Sequence, residues 1–254
     1  MMCTTSYDGS DFHGFSRQPR LRTVQGEIER VLSVVFDCPI ETIAASRTDA
    51  GVHARAQVFH FTLPHQRVAV EKLPYICSRQ LPDDIVLEKA VVVDDGFDAR
   101  RSVLWKTYRY TIALGPIQDV FIRRYALYEH QMLDVDAMQA AALHLMGEHD
   151  FTSFCTARAQ QVSKVRTVHR IHFAYDHQAR RLHIDITGNG FLHNMVRIIV
   201  GTLLNVGRGK LKSIDVLHIL ESRDRRTAGQ TAPARGLTLW HIEYPCINLL
   251  LDDA

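Results

Sequence analysis

The stretch from Phe191 to Leu204 most limits how this chain can fold. Phe191, Leu192, Met195, Val196, Ile198, Ile199, Val200, Leu203 and Leu204 surround a helix almost completely, so that helix must be covered on nearly every side. In its middle stands one permanent cation, Arg197. A guanidinium cannot shed its proton. It must either reach water past its neighbours or find an anionic or strongly polar partner inside, because an unpaired buried charge costs several kcal/mol.

With 254 residues and 46% hydrophobic content, the chain can build a core around such a helix. Val24, Ile28, Val31, Leu32 and Val35 recur at helical spacing within Thr23 to Phe36, and Thr23 is placed to cap the first turn. A second helix is predicted from Asp134 as N-cap through Met138, Ala141, Ala142 and Leu145, well covered and ended by Gly147. Strands are predicted at Gln57 to Thr62, Thr107 to Leu114 and Leu182 to Thr187. In the last of these Leu182, Ile184 and Ile186 alternate with His183, Asp185 and Thr187, which implies a sheet with one buried face.

Strand, helix and strand recur in both halves without the long crossover rhythm of a parallel sheet, and no G-x-G-x-x-G occurs. The expected architecture is a two-part α+β protein on a mixed, largely antiparallel sheet flanked by helices. Its parts are residues 1–104 and 105–254, joined between Phe97 and Trp105 with a central cleft.

No apolar run reaches the roughly 20 residues that span a bilayer, and MMCTTSYDGS lacks the basic-then-apolar pattern of a signal peptide. A cytoplasmic protein without membrane contact is expected. Cys3, Cys38, Cys77, Cys155 and Cys246 lie far apart with no C-x-x-C pair, which suggests reduced structural thiols. None of the 14 histidines sits in H-E-x-x-H, and His169 with His172 lacks a nearby acidic third ligand, so no metal is expected.

The net charge of +2 is divided unevenly. Residues 1–104 carry 12 basic against 14 acidic side chains, and the remainder carries 18 against 14. A nucleic acid would therefore have to be held by local patches: Arg100 with Arg101, Lys106 with Arg109, Arg123 with Arg124, and Arg158 with Lys164 and Arg166. Any one of these alone reads first as an ordinary solvated face.

The segment ASRTDAGVHARAQVFHF, Ala45 to Phe61, gathers Arg47, Thr48, Asp49, Gly51 and His53 in a short polar loop between an apolar stretch and a strand. Loops held by rigid strands are where reactive groups usually sit. On its own, Asp49 before Ala-Gly also reads as a turn former. Further on, Tyr108 and Tyr110 point to one face of a strand and Arg109 to the other. Tyr108 can fill the core, or it can stack on a base beside a phosphate-facing arginine.

S-R-T-D-A-G-V-H resembles the signature loop of the TruA family, the tRNA pseudouridine(38-40) synthases, with Ser46 in place of the usual Gly. The resemblance runs through YDGSDFHGF from Tyr7, TVQGEIERVL from Thr23, LPDDI from Leu81, FDARRS from Phe97, KTYRY from Lys106, GEHDFTSF from Gly147, GNGFLHNMVRIIVG from Gly188 and APARGLTL from Ala232. It departs at Phe15 and Ser16, where the family usually has Trp-Gln. It departs again at Cys77 to Gln80, where the family shows an Asn-Ala run.

The resemblance implies two ferredoxin-like, RRM-like halves. It implies Asp49 as nucleophile, Arg197 as the arginine that pairs with it, Tyr108 against the target base and Arg47 holding the flipped nucleotide. It also implies a homodimer that binds tRNA and modifies uridines of the anticodon stem-loop. A pairing with Arg197 would keep Asp49 ionised, since a nearby cation lowers a carboxyl pKa. Isomerising uridine adds and removes no atoms, so no cofactor is called for. A non-catalytic tRNA-binding relative would have had no need to keep Arg47, Asp49, Tyr108 and Arg197. A glycosidase or nuclease would need a second carboxylate or metal-binding acids, which the loop does not offer in sequence.

Overall fold

The computed structural model describes residues 1–64, 68–156 and 163–245. The fold is α+β, with open, mostly antiparallel sheet flanked by helices, and the chain divides into two compact units: residues 1–104 with 239–254, and residues 105–238. Arg158 and Cys246 lie outside the described residues.

In the first unit, strand β1 (Met2–Tyr7) lies between β3 (His53–His60) and β4 (Ile85–Val91), antiparallel to both, and short β2 (Ile43–Ala44) pairs with β3. Cys3 is fully buried opposite Phe59 on one side and Ala90 on the other. Helix α1 (Val24–Phe36) follows the expected stripe, burying Val24, Ile28, Val31, Leu32 and Phe36. Thr23 caps it by accepting the Gly26 N–H at 3.3 Å. Asp37 closes it in the left-handed conformation, φ 54°, with its N–H turned back to the carbonyls of Ser33 and Val34. Helix α2 (Leu73–Ser78) completes the unit, burying Leu73 and Cys77.

Strand β3 starts four residues before the Gln57 that patterning suggested, and it ends at His60 rather than Thr62. The reason is pairing. Ala54 sits opposite Tyr7 and Gln57 opposite Thr5, so the end of the polar loop is drawn into the ladder by β1.

In the second unit, β5 (Trp105–Leu114) pairs antiparallel with β9 (Arg181–Gly188). That strand pairs with β8 (Val165–Asp176), and β8 pairs with β7 (Gly147–Asp150), while β6 (Leu127–Glu129) runs parallel to β5. The alternation expected in β9 is present, with Leu182, Ile184 and Ile186 fully buried. Helix α3 (Val135–Leu143) starts from Asp134, whose Oδ1 accepts the Ala137 N–H at 2.9 Å. It ends at Leu143, and Gly147, expected as its stop, opens β7 instead. Its cover is one-sided as well: Met138, Ala141 and Ala142 are buried, while Leu143 is 67% exposed.

Helix α4 (Met195–Gly207) starts after Phe191 and Leu192, which the apolar run had placed on it, and it buries every side chain except those of Arg197 and Asn205. Each fully buried Val, Leu or Ile contributes about 1.5–3 kcal/mol, so this helix anchors its unit. Helix α5 (Ser213–Ser222) packs on α3 and buries Val216, Ile219 and Leu220. The last strand, β10 (Leu237–Glu243), begins in the second unit and ends in the first. Among the described residues no helix is long and apolar enough to cross a membrane.

Candidate active site

The polar loop between β2 and β3 is held from both ends. Ala45 donates its N–H to Val58 O at 2.8 Å, so β3 grips the loop where it begins. The next residue is bound by a side chain acting as a strand partner: Gln57 Nε2 donates to Ser46 O at 2.8 Å, and Gln57 Oε1 accepts the Ser46 N–H at 3.3 Å. Two residues on, Thr48 Oγ1 is 2.7 Å from the Tyr7 hydroxyl, and Thr48 O accepts the Phe15 N–H at 3.1 Å. Arg47, between these anchors, is exposed, and Asp49, just after them, is half-buried.

Asp49 O accepts the Val52 N–H at 3.1 Å, closing a turn over Ala50 and Gly51. Gly51 has φ 77°, the left-handed value required at the third position of a type II turn. The turn-forming reading of this segment is therefore correct at the backbone. Gly14, at φ 94°, packs against the same stretch, and a Cβ there would lie 2.9 Å from Thr48 O and 3.4 Å from the Asp49 carbonyl carbon.

The YDGSDFHGF segment is thus the other wall of the loop. His53 opens β3 in a buried position, with its Nδ1 accepting the Gly9 N–H at 3.1 Å and lying 3.1 Å from Asp8 Oδ1. Phe15, where the family usually has Trp, keeps its ring buried 6.1 Å from Tyr7.

Tyr108 and Arg197 belong to the second unit. Tyr108 is buried on β5, its ring perpendicular to that of Phe191 with centroids 5.3 Å apart. On the same side of the strand, fully buried Tyr110 donates its hydroxyl to Pro233 O at 2.9 Å. Burial drives the Tyr110 phenol well above the usual tyrosine range, with Arg197 and Arg235 pulling the other way.

Arg197 is half-buried and does find polar partners. Its Nε donates to Ala232 O at 2.7 Å and its Nη1 to Asn194 Oδ1 at 2.8 Å, which together fix the plane of the guanidinium. Asn194 is the N-cap of α4 and holds the left-handed conformation, φ 61°, which asparagine tolerates better than other non-glycine residues. The segment carrying Ala232 is tied down again where Gly229 donates its N–H to Thr202 Oγ1 at 2.9 Å.

Among the patches considered for a nucleic acid, Arg109 is corrected. It makes a two-pronged ion pair with Asp185 across the β5–β9 ladder, Nε to Oδ1 at 2.7 Å and Nη2 to Oδ2 at 2.8 Å. Its charge is committed within the fold. Arg100, Arg101, Arg123 and Arg124 are exposed. Arg166 is half-buried, spends Nη1 on the carbonyls of Ser163 and Val165, and has its pKa lowered by burial.

Tyr7 and Gln57 are the residues that sequence reasoning missed as part of this site. Tyr7 stood only as the start of a motif and Gln57 only as the start of a strand. Their one available signal was polarity at positions whose neighbours read as buried. Among the described residues no group of three or more His, Cys, Asp or Glu side chains is placed to hold a metal.

The chain matches the family model described as tRNA pseudouridine synthase over residues 4–100 and 141–245. It is 48% identical to a protein of Brevibacillus brevis named tRNA pseudouridine synthase A, over 96% of this chain and 99% of that one. A Bacillus subtilis protein of the same name is 46% identical over 96% of this chain and 98% of its own length. Another of that name from Shouchella clausii is 46% identical over 96% and 93%.

Proposed function

The chain belongs to the tRNA pseudouridine synthase family, and from that premise we propose that it isomerises uridine to pseudouridine at positions 38–40 of the tRNA anticodon stem-loop, with the Asp49 carboxylate as nucleophile. In this reaction the N1–C1′ bond breaks, the uracil rotates, and C5 joins C1′; the C5 proton is lost to solvent and N1 takes one up, so there is no net change. Nothing is added or removed, so the chain's own side chains suffice and no cofactor takes part.

The observation that carries this reading is the placement of Asp49. The residue is half-buried on a turn whose preceding residues, Ser46 and Thr48, are bonded to buried side chains of β3 and β1. A nucleophile is effective when its approach is fixed before the substrate arrives. In this reading Arg197 is the arginine that pairs with Asp49, and the plane of its guanidinium is set by Ala232 and Asn194.

Extruding the target base from its stack costs a few kcal/mol, and contacts to the flipped nucleotide must offset it. Tyr108, held by Phe191, lies against the base, and exposed Arg47 holds the flipped nucleotide. The enzyme works in the cytoplasm as a homodimer that binds tRNA through exposed basic side chains.

The test is tritium release from tRNA carrying C5-labelled uridine, comparing the wild type with Asp49→Asn, which keeps the shape and removes the charge. Turnover by the wild type and none by the variant is expected. Equal turnover by both would remove Asp49 from the chemistry. Mapping the pseudouridines formed checks the positions, and sedimentation checks the dimer.

A further inference from the structure

We infer that Tyr7 and Gln57 are positioning residues for the isomerisation, acting through Thr48 and Ser46 to aim the Arg47–Asp49 segment. The inference rests on the proposed role of Asp49. It starts from a cluster of polar side chains in the core of the first unit: Gln57 is 0% exposed, Tyr7 5% and Thr48 7%. The three form one set, because Gln57 Nε2 also lies 3.5 Å from the Tyr7 hydroxyl, itself 2.7 Å from Thr48 Oγ1.

Burying such groups is costly unless they are bonded, and a matched apolar replacement of both partners is close to neutral for stability. For the Tyr7–Thr48 pair, in which both partners are side chains, stability alone therefore does not account for the bond, whereas direction does. Apolar contacts fix where a loop sits but leave it able to rotate, while hydrogen bonds fix its orientation. Here they hold Ser46 by both of its backbone polar groups and Thr48 by its side chain, on either side of Arg47 and next to Asp49. The anchors come from strands 41 and 11 residues away along the chain, so the loop's aim is set by the sheet.

The experiment measures single-turnover tritium release and tRNA affinity for Tyr7→Phe, Thr48→Val, the double variant, Thr48→Ser and Gln57→Leu, with wild type and Asp49→Asn alongside. Tyr7→Phe, Thr48→Val and Gln57→Leu are each expected to slow the chemical step by roughly tenfold to a hundredfold, the scale on which small misplacements act, with tRNA affinity unchanged. Tyr7→Phe and Thr48→Val remove the same bond, so the double variant is no slower than the slower single. Thr48→Ser keeps the hydroxyl and restores the rate.

Full rates in Tyr7→Phe, Thr48→Val and Gln57→Leu overturn the inference, as do multiplicative losses in the double variant. A loss confined to tRNA affinity does the same. The double variant fills both positions with apolar groups and is expected to melt near the wild type; slow chemistry with normal melting is the signature sought. If Asp49→Asn turns over normally, the reading of Asp49 has failed. If it is inactive while these variants run at full rate, only the positioning role has failed.

Discussion

Arg197 and Ala232 are hydrogen-bonded in both directions: Arg197 Nε donates to Ala232 O at 2.7 Å, and the Ala232 N–H donates to Arg197 O at 3.1 Å. One residue of α4 thus grips one residue of a distant segment with side chain and main chain together. Asn194, three residues before the arginine, takes a third bond from Nη1.

Lysine has a single nitrogen and cannot make this fork. Arg197→Lys is expected to lower stability by about 1–3 kcal/mol, the cost of leaving buried acceptors without donors. It should also cut the single-turnover rate by at least roughly a hundredfold, because the cation's position is lost. Urea unfolding and tritium release measure the two effects. A variant with wild-type stability and rate would show that charge alone is needed here.

Gly14 faces Thr48 and Asp49 with no room to spare. Gly14→Ala places a methyl 2.9 Å from Thr48 O at a φ of 94°. It is expected to cost about 1–3 kcal/mol in strain and to slow the chemical step, because the displaced backbone is that of the proposed nucleophile. Arg20, also at positive φ, 63°, is exposed and serves as the control. Arg20→Gly should change neither melting temperature nor rate.

Glu129, 3% exposed, supports the second unit through an ion pair with Arg208 and by accepting the Gln131 N–H at 3.0 Å. Burial pushes its pKa up, but the bonds to Arg208 and Gln131 outweigh it and the net shift is downward. With the folded pKa below the unfolded one, this contribution is complete above the ordinary glutamate range, near pH 4.3, and fades as pH falls through the depressed folded value. Glu129→Gln is expected to lose about 1–3 kcal/mol at neutral pH, since it leaves Arg208 without its charge partner. Its stability should fall less steeply than that of the wild type on acidification. Melting temperatures from pH 7 to pH 3 test this; parallel curves would contradict it.

Arg109 and Arg123 separate a structural cation from an exposed one proposed to meet RNA. Replacing exposed Arg123 and Arg124 by Ala is expected to weaken tRNA binding and to flatten its salt dependence by roughly 0.7–0.9 per lost phosphate contact. Arg109→Ala is expected to destabilise the β5–β9 ladder, leaving Asp185 unpaired, with the salt slope unchanged. Titrations at several salt concentrations distinguish the two. The opposite pattern would reverse the assignment.

What the sequence determined by itself is what depends on neighbours within a few residues. The stripe of α1 and its Thr23 cap follow from a 3.6-residue period, and the buried face of β9 from a period of two. The cover over α4 follows from apolar residues on every side of it. Asp49 was singled out by its motif, and the turn that carries it was written in Ala-Gly.

The tertiary structure decided everything that depends on which distant segments meet. Strand pairing with β1 moved the start of β3 to His53, and the register of β5 against β9 placed Asp185 beside Arg109. It brought Tyr7 to Thr48 and Ala232 to Arg197 across 41 and 35 residues. Periodicity and capping are local properties of a chain. A hydrogen bond between remote side chains exists only once sheet register and helix packing have fixed both ends in space, so it leaves no pattern in either segment alone.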